Sequence, residues 1–308
     1  MRYTLRQLEI FVAVSRLDSV SKASELLCLS QSATSTSLGE FERQFGLQLF
    51  DRVGRSLSIN ESGKKLLPKA VELLDRAKEI ESELSALAGF GEMHIGATLT
   101  IGNYLANLLV AKFLQTYPDS NIKLQVHNTK TIVQQIINHE LDLGMIEGDC
   151  DHPDLEVQPW IADELVIFSA PNHPLTKEKN ISINKLIKQV WILREKGSGT
   201  RETFDRVFGV NEKNMNIRLE LEHTEAIKRA VESGIGIGCI SKLALKDAFR
   251  RGSLVPLDVK NIQLNRYFYF LWPKSKYQTS GMKKFLKMCR DMTAGLESSD
   301  QIDLPLIA

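Results

Sequence analysis

The chain is short of most features that would commit it to chemistry or to a membrane. Its four cysteines, Cys28, Cys150, Cys239 and Cys289, are scattered over 308 residues with no C-x-x-C pair. Idle, reduced thiols are therefore expected, with Cys150, in a polar loop, best placed for an oxidation switch. No apolar run is long enough to span a bilayer, and no leader pattern precedes Leu5, so a cytoplasmic chain without membrane contact is expected. No Ser/His/Asp or Cys/His grouping surrounds a strand-end nucleophile, which argues against an enzyme. The acidic loop Asp149, Asp151, His152 and Asp154 has neither zinc nor EF-hand spacing, so neither metal nor cofactor is expected. Gly234-Ile235-Gly236-Ile237-Gly238 falls where a helix ends and a strand begins, the wrong order for a dinucleotide loop. A net charge of +1 excludes a histone-like binder.

What is present begins at the amino end. Leu5, Leu8, Phe11, Val12 and Val14 give a helix one buried face. Ser19 precedes a second short helix with Ala23, Leu26 and Leu27 inward, and Leu29-Ser30 make a turn. A third helix, Gln31 to Gln44, is expected to bury Ala33, Leu38, Phe41 and Phe45. Its outward face would then be Gln31, Ser32, Thr34, Ser35 and Ser37. Short hydroxyl and amide side chains suit base edges and phosphates, whereas a merely solvated helix would carry more Lys and Glu. Leu47 to Ile59 reads as two short strands turning at Gly54, a wing whose Arg52 and Arg55 forks suit phosphate oxygens. Residues 1–65 carry nine Lys and Arg against seven Asp and Glu, a net of +2. So weak a charge binds DNA poorly from a single head, and tethering two copies is the natural remedy.

Ala23 to Leu27, Leu29-Ser30-Gln31-Ser32-Ala33, Phe41-Glu42, Phe45-Gly46, Leu49-Phe50-Asp51-Arg52 and Glu61-Ser62-Gly63 resemble the winged helix-turn-helix of LysR-type transcriptional regulators. The likeness continues over nearly the whole chain. It departs at Ser32, where the family commonly has Pro, and at Gly39, which costs a helix about 1 kcal/mol against Ala and would permit close packing or a bend. The resemblance implies double-stranded DNA and RNA polymerase as partners, and a homotetramer made of two dimers.

From Ser62 to Ala88 one long helix carries Leu66, Ala70, Leu73, Ala77, Ile80, Leu84 and Leu87, a 4,3 alternation that marks a coiled-coil seam for dimerisation. Gly89 and Gly91 then mark a hinge. Beyond it strands and helices alternate, the signature of α/β architecture. The fold class expected is therefore an all-helical winged helix-turn-helix (1–60), a linker helix (61–89), and an α/β regulatory domain (92–300). By resemblance that domain is a pair of Rossmann-like lobes of the periplasmic-binding-protein type. Lobe I takes about 92–162 and 267–300, lobe II about 163–266, with crossovers near Asp163 and Arg266. Ser298 to Ala308 reads as a frayed tail.

Ligands of open α/β sheets sit beyond the strands' carboxyl ends. The segments placed there supply Thr98, Thr100, Asn103, Asn128, Thr129, Glu147, Ser198, Gly199, Thr200, Arg201, His223 and Thr224. Several open helices, whose free N–H groups suit a small anion. Ile101 to Tyr104, Ile146 to Gly148, Trp191 to Arg201 and Glu225 to Lys228 further resemble one branch of the family, the YeiE type, which implies sulfite or a related oxyanion as effector. Glu147 would repel an anion and would instead meet an amino acid's amine, so that alternative stays open. So do a redox-switched regulator and a cytosolic small-molecule-binding protein.

Overall fold

A computed structural model describes residues 2–53, 56–84, 90–209 and 215–302. The head is three helices, α1 (Leu5–Leu17), α2 (Val20–Leu26) and α3 (Gln31–Phe45), with a hairpin of β1 (Phe50–Val53) and β2 (Ser56–Ile59). Each helix starts on a hydroxyl cap: Thr4, Ser19 and Ser30 accept from Gln7, Lys22 and Ala33 N–H. Phe11 gathers Phe41 and Phe50 into the head's core.

The long helix α4 (Glu61–Leu84) runs unbroken through Pro68. Its Leu67, Ala70, Val71 and Leu74 complete the head's core, so α4 is a part of the head as well as a linker. Gly91, at the join to the next unit, takes φ +73°.

The remainder is one mixed sheet folded as two lobes, in strand order β4-β3-β5-β11-β6-β9-β7-β8, with β10 (Val255–Pro256) on β6. In the first lobe β3 (Glu92–Thr98) lies parallel between β4 (Asn121–His127) and β5 (Leu143–Glu147). In the second, β7 (Val190–Arg194) lies parallel between β8 (Asn216–Leu221) and β9 (Ile237–Ser241). Parallel strands require covering helices. These are α5 (Leu99–Ile101), continuing through a π turn into α6 (Asn107–Thr116), then α7 (Thr129–Ile137), α8 (Ile183–Ile187), α9 (Gly199–Phe208), α10 (Thr224–Glu232), α11 (Lys242–Arg251) and α12 (Ser280–Thr293).

Two antiparallel strands, β6 (Leu155–Ser169) and β11 (Asn265–Pro273), run side by side from one lobe into the other and put Asp163 opposite Arg266. The first ten residues of β6 were not expected as strand. Pro159 hides them, and the structure accommodates it beside a register shift at Phe268/Tyr269.

Two expectations fail here. Ser298–Ile302 is no frayed tail: a 3-10 turn docks it, Ser299 is fully buried and Ile302 enters the first lobe's core, while 303–308 fall outside the described residues. Nor does Gly39 serve close packing, since a Cβ there would meet nothing within 4 Å.

Candidate functional site

On α3, Gln31, Ser32 and Ser35 are exposed and Ser37 half-buried. Thr34 is not on that face. It is 0 % exposed, with its hydroxyl donating to the Ser30 carbonyl at 3.1 Å. Ala33, expected inside, is exposed. The turn of 3.6 residues explains both, because Thr34, Leu38 and Phe41 share one face and a threonine that bonds its own backbone enters a core cheaply. Phe45 is likewise half-exposed. Glu42 Oε1 accepts the Leu49 N–H at 2.7 Å and so ties the wing to the outward helix. Arg52 lies on β1, while Arg55 falls outside the described residues.

The α4 seam divides in two. Ala70 is buried in its own head and Leu66 is half-buried against it, so Ala70 is not free for a partner. Leu73, Ile80 and Leu84 stay exposed and Ala77 half-buried; Leu87 falls outside the described residues. Leu73 also borders an apolar groove of about 370 Å³ with Tyr3, Phe45, Leu47 and Leu66.

Between the lobes, the strand ends converge as a doubly wound sheet requires. Glu147 ends β5 and Arg194 ends β7; both are about 1 % exposed. Arg194 Nη1 stands 3.9 Å from Glu147 Oε1, and Arg266 Nη2 stands 3.5 Å from Glu147 Oε2. Neither guanidinium nitrogen has a hydrogen-bond partner among the described residues, nor has Glu147 Oε2. The buried hydroxyls of Thr98, closing β3, and Thr224, opening α10, are also unpartnered there. Thr200 Oγ1 donates to Glu147 at 3.3 Å and accepts from Arg266 Nη1 at 3.0 Å. Buried groups of this kind are nearly always satisfied, so the three around Glu147 mark a place built to meet something.

Closure of the lobes is tight. Gly199 N–H donates to Thr129 Oγ1 at 3.0 Å, and a Cβ on Gly199 would lie 1.8 Å from the Glu147 carbonyl. Only glycine permits that approach. Ser198 caps α9 and Asn128 caps α7. On the cleft's flank Tyr104 donates to Glu225, which also takes Lys228 Nζ at 2.6 Å. Burial and that carboxylate raise the Tyr104 hydroxyl's pKa.

The other expected residues differ in burial and in the partners they already have. Thr100 is buried, but Asn103 and His223 are exposed, and the His223 side chain makes no cap bond. Arg201 is committed within its own lobe. It meets Asp205 at 2.8 Å, Glu220 at 3.4 Å and the Arg194 carbonyl at 3.1 Å. Arg194, Arg266 and Lys228 were missed as site residues. Arg194 has one signal, a cation closing the apolar run Trp191-Ile192-Leu193, and Arg266 another, a cation opening the run Tyr267 to Trp272, while Lys228 has none.

Among the described residues no three metal-ligating side chains cluster, and no helix is long and apolar enough to cross a membrane. Asp149 is taken by Arg206 at 2.5 Å. Burial pushes the Cys239 thiol up to about 12 and raises those of Cys289 and Cys150.

A winged helix-turn-helix head on a linker helix, followed by two lobes closing on a polar cleft, defines a ligand-responsive DNA-binding regulator. Residues 5–64 match the bacterial regulatory helix-turn-helix protein, lysR family, and residues 89–294 match the LysR substrate binding domain. The chain belongs to the LysR family of transcriptional regulators, which are not enzymes. It is 39% identical to the uncharacterized HTH-type transcriptional regulator YeiE of Escherichia coli K12, over 94% of this chain and 98% of that one. The regulatory domain of Synechocystis CcmR, solved in complex with 2-PG, is 30% identical with a TM-score of 0.62, covering 67% of this chain and 99% of that one. Full-length OxyR of Pseudomonas aeruginosa shares the fold, with a TM-score of 0.71 at 19% identity over 94% of each chain.

Proposed function

We propose that this regulator responds to a small anion, sulfite foremost, which binds between the lobes and resets two paired heads on DNA. The observation that carries the reading is the pair of buried guanidinium nitrogens, Arg194 Nη1 and Arg266 Nη2, lacking hydrogen-bond partners among the described residues. An oxyanion accepts from such donors and from the Thr98 and Thr224 hydroxyls at once. Glu147 does not require an amine, because two arginines and Thr200 already face it. The likeness to a regulatory domain solved in complex with 2-PG supports a small effector. Cys150, Cys239 and Cys289 support no oxidation switch, since burial disfavours their reactive thiolates.

In the head, Gln31, Ser32, Ser35 and Ser37 face the duplex and Arg52 and Arg55 its phosphates; Thr34 serves the core. Two copies join along Leu73, Ala77, Ile80 and Leu84, extended by the groove at Phe45 and Leu47, and two such dimers make a tetramer at a promoter.

Calorimetry of the full chain with sulfite, sulfate and an amino acid tests the effector. Sulfite is expected to bind; heat from the amino acid alone overturns the anion. Electrophoretic shift with promoter DNA from the gene's own neighbourhood tests the head. Gln31→Ala and Arg52→Ala are each expected to weaken binding about five- to tenfold, the size of one lost polar contact. Unchanged affinity in both overturns the reading face.

A further inference from the structure

The segment after the last helix reaches the cleft through one buried carboxylate. Asp163 Oδ2 accepts from Arg266 Nε at 2.7 Å. Its Oδ1 accepts from two hydroxyls, Ser241 at 2.6 Å and Ser299 at 2.5 Å. The three donors come from three places: the crossing strand β11, the end of β9 in the second lobe, and the 3-10 turn after α12. Asp163, Arg266, Ser241 and Ser299 are all buried. A buried carboxylate that accepts from three donors has its orientation fixed by them. Asp163 in turn fixes the Arg266 guanidinium, whose far edge holds Thr200 and faces Glu147.

The same segment is fastened on both sides of the hinge. Asp300 pairs with Lys242 of α11 at 3.1 Å, and the Ile302 carbonyl accepts from Lys246 at 3.4 Å. Ile302 itself packs among first-lobe side chains and Leu243. The turn therefore lies across the place where the lobes rotate.

We infer that Ser298–Ile302 is a strap across the hinge and that Ser299 is a positioning residue for effector binding, acting through Asp163 to aim Arg266 at the ligand. The inference rests on the anion reading above. Asp163 lies on the crossing strand β6, so its carboxylate ties the docked turn and the second lobe's Ser241 to the direction of the arginine. With Ser299 shortened to alanine, Asp163 keeps its charge and its arginine but loses one of the restraints that orient them.

The test is full-length Ser299→Ala, measured by sulfite calorimetry and by DNA affinity without sulfite. Sulfite binding is expected to weaken about tenfold, the value of one hydrogen bond to a charged group. DNA affinity without sulfite is expected to stay within about twofold, a split that general loosening of the fold would not give. In an Asp163→Asn background the Ser299→Ala change is expected to add nothing. Equal sulfite affinity in wild type and Ser299→Ala, or the same loss in both backgrounds, overturns the strap. If wild type gives no heat with sulfite, the anion reading fails by itself. The strap is then judged by hydrogen exchange across residues 263–268, as it is if Asp163→Asn does not fold. Faster exchange in Ser299→Ala supports it and unchanged exchange overturns it.

Discussion

Between the lobes charge is buried and left short of partners, whereas between the linker helix and the first lobe the buried Lys276 is matched by two carboxylates. There, only the Nε of the neighbouring Arg16 lacks a hydrogen-bond partner among the described residues. In the cleft, Arg194, Arg266 and Glu147 have atoms without hydrogen bonds among the described residues. At the linker, the Lys276 ammonium sits between Asp75 of α4 at 2.5 Å and Asp142 of the first lobe at 2.6 Å. Burial works against the charge of Lys276, yet the two carboxylates outweigh it and raise its pKa. Glu79 accepts from the Tyr277 hydroxyl and the Ser280 N–H, both at 2.7 Å, and Arg76 lies over the Tyr277 ring. An unsatisfied interface gains from a ligand and so can be switched by one. A satisfied interface holds the linker helix to its lobe and passes movement on.

The sharpest way to break this contrast is to remove the cleft's structural cation. Arg266→Met leaves Asp163 buried with two hydroxyls and no counter-charge, and removing one partner of a buried pair costs about 3–5 kcal/mol. Urea unfolding of the full chain is expected to show that loss. A change under about 1 kcal/mol would mean that Arg266 is held for the ligand alone and not for the fold.

Much of the architecture could be read from periodicity, and the failures have physical causes. Apolar strands such as Leu143–Glu147 announced themselves by composition, and Gly197 to Arg201 by its cap. β6 did not, because Pro159 and the charges Asp163 and Glu164 interrupt the apolar pattern. Asp163 meets Arg266 103 positions away, and no local spacing reports such a contact. Thr34 misled because a hydroxyl satisfied by its own backbone is indistinguishable, in sequence, from one aimed at DNA. Ala70 on α4 misled for a similar reason: apolar residues at heptad spacing do not say whether they face a partner or their own head.

A smaller effect is expected where partners remain able to reach water. Lys276→Met strands Asp75 and Asp142, but their side chains are 17 % and 22 % exposed and can hydrate. The loss in urea unfolding is expected to be about 1–3 kcal/mol, below that of Arg266→Met. The reverse order would show that the linker contact, not the cleft, carries the greater electrostatic stability.

The mildest probe is pH, read on the linker side through one histidine. His139 is buried beside Arg16 of α1 and Lys276. Burial first, then Arg16, then Lys276 push its pKa down to about 4. Its unfolded value is about 6.5, so between those two values the unfolded chain binds a proton that the folded chain refuses. Stability from this site is therefore full above about pH 6.5 and is lost as pH falls toward 4. Asp75, whose pKa burial raises, works in the opposite direction over part of that range. It is common to wild type and to His139→Gln, so the difference between their melting curves isolates the histidine. Wild type is expected to lose melting temperature faster than His139→Gln between pH 7 and pH 5, with the curves converging above about pH 7. Parallel curves would mean that His139 reaches solvent before unfolding, and hence that the head leaves the first lobe as a separate, earlier step.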